Sequence, residues 1–276
     1  MTIAFAPPTS EPWTRNHNGW PMIPPPEGGK PEPYMRMSKI AKYLGDTFTL
    51  EQWGKRQVVL GMAERDDLVL LAKASTPEDK QRLNDIAKQA SDAAKSNTKA
   101  NIGTALHTFT DRVDDGMDPA EVPEPYRADL IAYRDAIAAA GLEVVAQELS
   151  VVNDHLKAAG TFDRLFRMTT GARTGQVAVG DLKTGGDDKY PHGVTQQTAG
   201  YAHSHLYHED KGGRYGYLPD LGVSTEVALM VHLPQGTGTC TVYELDIVKG
   251  WALISTAVAV KKAMGDKSLC TPYQPK

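Results

Sequence analysis

A chain of 276 residues, 41% hydrophobic and 23% charged, is long enough to bury a substantial core as one elaborated domain. No apolar run approaches the ~20 residues of a membrane helix, and the opening MTIAFAPPTSEPW has neither a basic leader nor an apolar h-region, so a cytoplasmic protein without membrane contact is expected. The net charge of -4 argues against broad coating of nucleic acid, although groove potential depends on local arrangement rather than on the sum.

Residues 1–33 contain APPTSEP, PMIPPPEGG and KPEP and read as an extended, irregular arm. Its Trp13 and Trp20 either dock on the body or on another subunit, or belong to a disordered tail. A helical region, 34–96, follows. Ser38 is placed to cap a helix through IAKYL, and Thr49 with Gln52 forms a capping box for a helix running to about Ala74. Thr76-Pro77-Glu78-Asp79 opens another, with Leu83, Ile86, Ala87 and Ala90 at helical spacing. Lys39, Lys42, Lys55, Arg56 and Arg65 are either solvated helix surface or a basic face beside a groove.

The core is assigned to 97–264. Asn97–Val113 has the apolar stripe of a helix (Ile102, Ala105, Leu106, Phe109), with Gly103 and His107 four apart on one face. Gly103 costs about 1 kcal/mol relative to Ala there, which suggests close approach of another backbone. Tyr126–Ala140 is a second amphipathic helix, stopped by Gly141. The period then changes to two. LEVVAQELSVV, Ala159–Met168 and Val177–Lys183 are strands joined by short links, an antiparallel meander. In the second strand Thr161, Asp163 and Leu165 share one face, and Phe162, Arg164 and Phe166 the other. In the third, Asp181 and Lys183 emerge together while Leu182 points into apolar packing. Holding an acid and an ammonium at the end of an apolar strand costs desolvation energy, so a catalytic pair competes with a plain ion pair.

The loop TGGDDKYPHG places Lys189, Tyr190 and His192 near a possible groove and Asp187 and Asp188 in solvent. Thr195–Tyr207 reads as a helix on which Gln197 and Tyr201 lie one turn apart, whereas His203 and His205 point about 200° apart and cannot share an ion. STEVALMVHL and TCTVYELDI pair as strands, Val248–Met264 is an alanine-rich helix, and 265–276 is a tail. The fold class is α/β (α+β).

Asp163 and Asp181 sit on adjacent antiparallel strands, where their carboxylates could reach one ion. Oxygen ligands select Mg²⁺ or Mn²⁺, and a histidine is better tolerated by Mn²⁺. The pieces GTALH (103–107), GTFDRL (160–165), GDLKTG (180–185) and QTAGY (197–201) together resemble the PD-(D/E)xK nuclease superfamily, in its RecB-like branch of phage-type exonucleases. The resemblance spans about 101–207. It implies a restriction-endonuclease-like core, a mixed sheet flanked by helices, behind a helical N-terminal elaboration.

The resemblance further implies a metal-dependent DNA exonuclease acting on linear duplex ends in phage-type recombination or DNA processing. A single-strand annealing protein is the partner such an enzyme would have, and host cytoplasm its location. His107, Asp163 and Asp181 would be metal ligands, with the backbone carbonyl of Leu182 a further one. Glu148 would act through a bound water or a second ion. Lys183 would orient the attacking water and stabilise charge on phosphorus, and Gln197 and Tyr201 would line the groove. Cys240 and Cys270 are the only cysteines, so the four-cysteine iron-sulfur cluster of some relatives is not expected. A structure-specific or nicking endonuclease of the same fold and a catalytically silent DNA-binding or assembly module are the alternatives. Oligomeric state, processivity and polarity are left open.

Overall fold

The computed structural model describes residues 11–94, 98–185 and 191–273. The chain divides into two compact units, Met1–Gly45 with Asp111–Lys276, and Asp46–Thr110.

The arm docks. β1 (Met22–Ile23) and β2 (Glu32–Pro33) pair as a short antiparallel ribbon. Trp13 is buried in a cluster with Ile23, Tyr34, Val152, Ala159 and Tyr207. Arg214 ties the arm down, donating to both oxygens of Asp154 (2.5 and 2.7 Å) and to the Pro24 carbonyl (2.8 Å), while the Tyr34 hydroxyl donates to Asp154 (2.7 Å). For residues 11–33 the docked alternative is therefore the observed one. β3 (Met35–Arg36) leads into α1 (Met37–Ile40), whose N-cap position is Arg36 and not the expected Ser38. Burial of Met37 and Ile40 sets this turn, and the serine lies inside it.

The second unit is helical: α2 (Phe48–Ala63), α3 (Asp66–Lys73), α4 (Lys80–Ala93) and α5 (Thr98–Asp114), the last four residues of which belong to the first unit. The single helix expected through Ala74 is two. It breaks at Arg65 (φ -134°, ψ 82°), which lets Leu68 pack with Ile86 and Ala90. The Thr49–Gln52 box does not cap it; α2 starts earlier, at an N-cap Thr47, and Asp46 accepts from the Phe48 N–H (2.8 Å). Gly61 makes the α2–α4 contact possible, because a Cβ there would lie 1.7 Å from the Ala90 carbonyl oxygen. Thr76 bonds to Asp79 through its N–H and hydroxyl (2.8 and 3.2 Å), so the TPED segment is a turn preceding α4 and Asp79 is the N-cap.

The first unit continues with α6 (Tyr126–Ala139), ended by Gly141 at φ +62°. Then come β4 (Leu142–Asn153), β5 (Ala158–Met168), β6 (Val177–Lys183), α7 (His192–Ala202), β7 (His205–His208), β8 (Gly213–Tyr217), β9 (Val227–His232), β10 (Thr241–Asp246) and α8 (Ile247–Met264). They build one mixed sheet, ordered β10-β9-β6-β5-β4-β7-β8, with β3 also pairing on β5. The β4-β5-β6 meander is antiparallel, and β6–β9 and β3–β5 are parallel. One core packs α1, α7 and α8 residues such as Met37, Ala199 and Ile254 against the sheet; another packs Tyr133 and Ile137 of α6 against Phe166, Ala178 and Leu182. Helices α7 and α8 cross so closely that a Cβ on Gly250 would be 2.4 Å from the Thr195 carbonyl. No helix among the described residues is long and apolar enough to cross a membrane.

Two expectations change here. The helix through Tyr207 stops at Ala202, where Asn153 donates to the His203 carbonyl (2.8 Å) and the Ser204 hydroxyl to that of Gly200 (2.6 Å). His205 consequently lies on a strand against Tyr217 (4.9 Å), while His203 stacks on Trp251 (4.2 Å), and the helical-angle argument does not apply to them. Nor does β5 alternate regularly. Phe162 enters the same core cluster as Leu165, and on β4 Leu149 joins Ala146, whereas Phe166 lies in the other cluster. Odd and even positions thus exchange faces at Glu148, whose φ of +50° interrupts the pleat.

Candidate active site

The site is built on this interruption. The pairs Gln147↔Arg164 and Leu149↔Phe162 bracket Glu148 and Asp163, so the two face each other across β4 and β5. The β5–β6 ladder ends at Arg164↔Gly180, which sets Asp181 beside Asp163 one step further on. Three carboxylates thereby form a row across three neighbouring strands. Left-handed backbone at a non-glycine residue costs about 1–3 kcal/mol and is retained where the surroundings over-determine it. Glu148 has that strain, and among the described residues its carboxylate makes no hydrogen bond or ion pair.

The sheet opens at the same place. On the edge of β5 used by β6, the next strand partner is β3, at Ala158 and Ala159. From Gly160 to Asp163 no strand takes this edge among the described residues. The Leu182 N–H, beyond the last ladder pair, donates to Asp163 Oδ2 (2.6 Å). Leu182 thus enters the cluster through its N–H, while its side chain is buried in the α6-side core as expected. Gly160 lies against the ring of Tyr201, where a Cβ would be 3.0 Å from the hydroxyl oxygen, and Gly180 lies against Phe166, where a Cβ would be 2.3 Å from the ring. Gly180 is therefore a packing requirement, whereas Gly160 is a close approach that a small shift of Tyr201 would relieve.

Asp181 is buried (2% exposed) at the head of a connected chain. Its Oδ2 is ion-paired with Lys183, whose side chain is 41% exposed, and its Oδ1 accepts from Gln197 Nε2 (3.2 Å), which also lies 3.1 Å from the buried Tyr201 hydroxyl. Gln196, one residue earlier, is buried and does not join these contacts. The one-turn spacing of Gln197 and Tyr201 decides which glutamine serves the site.

Electrostatics follow from crowding like charges in a partly dry place. Burial raises the Glu148 carboxyl to about 7, with Asp163 and Asp111 adding to the rise and Arg164 opposing it. Asp163 is also raised, burial outweighing the Leu182 N–H and the Lys183 and Arg164 charges. Burial and Asp181 push the Tyr201 phenol up against Gln197 and Arg36, so Tyr201 serves as a hydroxyl.

Sequence reasoning missed the neighbouring network. The fully buried Arg164 donates to Asp111 (2.7 Å), Asp114 (2.8 Å) and the Tyr133 hydroxyl (3.0 Å), and Tyr133 donates to Asp114 (2.8 Å). Its signal was present: an arginine among Phe162, Leu165 and Phe166 needs partners, and Asp111 and Asp114 lie one helical turn apart.

His107 belongs to the second unit, where its carbonyl accepts from the Thr110 hydroxyl (2.8 Å); the cluster described here is that of the first. Asp187, Asp188, Lys189 and Tyr190 lie outside the described residues, and His192 is exposed at the start of α7.

The donor chemistry fits a hard divalent cation. Glu148, Asp163 and Asp181 supply carboxylate oxygens, and a cation would offset the burial and the neighbouring charge that raise the first two. Among the described residues no three such groups are already closed around a common point; Asp163 is turned to the Leu182 N–H and Asp181 to Lys183. No protein-family model matches the chain, and no curated protein does either.

Proposed function

We propose that this protein is a metal-dependent nuclease with a restriction-endonuclease-like core, hydrolysing phosphodiester bonds from the ends of linear DNA. The observation that carries this reading is the row of Glu148, Asp163 and Asp181 across β4, β5 and β6 with Lys183 beside it. Carboxylates gathered in a partly buried row are suited to recruiting a cation.

Glu148, Asp163 and Asp181 would hold Mg²⁺ or Mn²⁺. Such an ion lowers the pKa of water and neutralises charge growing on a phosphate under attack. Lys183 is exposed enough to reach substrate and presents its ammonium to the scissile phosphate, where negative charge increases most in the transition state. Gln197 fixes the orientation of Asp181 through its amide, and the buried Tyr201 hydroxyl, packed on Gly160, holds that amide in place. Glu148 would contribute its carboxylate to the ion directly or through a bound water. Hydrolysis then adds water across the P–O bond: oxygen bonds to phosphorus, the ester oxygen leaves, and it takes up a proton.

The deciding experiment is digestion of end-labelled linear duplex DNA and of covalently closed circles with Mg²⁺, Mn²⁺ or EDTA. Metal-dependent loss of linear DNA with intact circles supports the exonuclease. Cutting of circles replaces it with an endonuclease of the same chemistry, and no cleavage of any DNA with either metal overturns the reading.

A further inference from the structure

Beside the carboxylate row the surface changes sign. The segment from Pro33 to Gly45, PYMRMSKIAKYLG, contains Arg36, Lys39 and Lys42 and no acidic residue. All three cations are exposed, at steps of three along α1 and its flanks, so they follow one flank of the turn. Met37 and Ile40 of the same turn are buried in the core, which makes this a rigid ridge.

Its position ties it to the site. β3 pairs with β5 at Arg36↔Ala159, next to Gly160, and Gly160 is in contact with the Tyr201 ring. Helix α1 is seated on α7 through Met37, whose sulfur would lie 2.3 Å from a Cβ on Gly200. The Arg36 charge is felt at the Tyr201 hydroxyl. The Arg36 side chain makes no hydrogen bond or ion pair among the described residues, although its charge also reaches Glu11 of the arm, whereas Lys39 leans over the Trp20 ring (5.8 Å). Beyond Lys42, Lys261 of α8 lies over the Tyr43 ring (5.2 Å) and extends the positive surface. In a chain of net charge -4, such a stretch is a local feature and not an average one.

We infer that Arg36, Lys39 and Lys42 form a binding track for the phosphate backbone of the nucleic-acid strand cut at the carboxylate row, with Arg36 taking the phosphate nearest Tyr201. The inference rests on the nuclease reading above. Contacts to phosphate position a strand without reading its bases, and each neutralised phosphate releases counterions and steepens the salt dependence of binding. The track therefore supplies sequence-independent affinity and holds the strand in register with Lys183.

The test uses the full chain with Asp181→Asn, so that DNA is not consumed, and measures fluorescence anisotropy of a labelled DNA duplex across a salt series. It compares this protein with one that also has Arg36→Gln, Lys39→Gln and Lys42→Gln, and with a control altered at Lys73, Lys80 and Lys88 of the second unit. Thermal melting checks that the folds are alike, and single Arg36→Gln protein stands in if the triple variant melts early. The track predicts at least a tenfold loss of affinity and a salt slope shallower by about 2–3 for the triple variant, with the control unchanged. Equal losses in both variants would reduce the ridge to general charge and overturn it. DNA cleavage by the otherwise unaltered protein with an unchanged slope in the triple variant would overturn the track and leave the nuclease standing. Absence of both cleavage and binding would remove both.

Discussion

Asp163 and Arg164 are neighbours in β5 and belong to opposite kinds of electrostatics. Around Arg164, one buried guanidinium is closed by Asp111, Asp114 and Tyr133 at 2.7–3.0 Å. Around Asp163, three carboxylates lie in a row, Asp181 is ion-paired with the half-exposed Lys183, and Glu148 sits on strained backbone and lacks a hydrogen bond among the described residues. Removing a partner from a closed network exposes an uncompensated buried charge. Removing a member of an acid-rich cluster relieves repulsion. The first arrangement is what holding β5 to α5 and α6 requires. The second is the arrangement that the proposed cation site would use.

The largest effect that would sharpen this contrast is on chemistry. Asp181→Asn and Lys183→Ala are each expected to lower DNA cleavage by about 10³-fold or more, with the melting temperature unchanged or raised for Asp181→Asn and lowered for Lys183→Ala, which leaves the buried Asp181 without its ammonium. Wild-type rates in either variant would break the comparison at its active half. Next is Arg164→Met, which strands Asp111 and Asp114 and should cost about 3–5 kcal/mol in urea unfolding. A loss below 1 kcal/mol would show that the network is not structural.

Glu148→Gln should do the reverse for stability while reducing cleavage. The Glu148 carboxyl is raised from 4.5 to about 7 in the folded protein, so the native state binds the proton more tightly than the unfolded one. Metal-free stability from this group is thus highest below pH 4.5, falls as the pH rises towards 7, and stays low above it. Amide substitution should recover roughly 3 kcal/mol at pH 8 and nothing at pH 4. Urea titrations of both proteins at the two pH values measure it, and an equal gain at both would assign the effect to something other than ionisation. Smaller again is Gly180→Ala, which drives a methyl into the Phe166 ring and is expected to destabilise by about 1–3 kcal/mol. Gly160→Ala needs only a few tenths of an ångström from the Tyr201 hydroxyl; its fold should persist while cleavage falls several-fold, read as a change in rate at an unshifted melting temperature.

Local signals decided much of this molecule. The change of period after Gly141 located β4, β5 and β6 closely, because a strand half-buried on a sheet has to alternate. The two-residue step from Asp181 to Lys183 and the one-turn step from Gln197 to Tyr201 are properties of strand and helix geometry, and those four side chains come together as those steps imply. Helix ends were less legible. Ser38 is a good cap in isolation, yet burial of Met37 and Ile40 sets the boundary there, since apolar burial outweighs a cap of about 1 kcal/mol; burial of Leu68 likewise sets the break at Arg65, while at the start of α2 Asp46 accepts from the Phe48 N–H ahead of Thr49.

What only the tertiary structure decided is where regularity fails. Alternation predicted that Phe162 and Phe166 would share a face, and the left-handed Glu148 undid it. Nothing local marks a glutamate for positive φ; packing on both sides of the sheet imposes it. The short β3, the opening of the β5 edge from Gly160 to Asp163, and the partners of Arg164 likewise depend on segments far apart in the chain. The sequence by itself determined which residues are candidates for the proposed chemistry, because side-chain type and spacing are local. Their assembly into a row beside an open edge was decided by long-range pairing and burial, which no local pattern encodes.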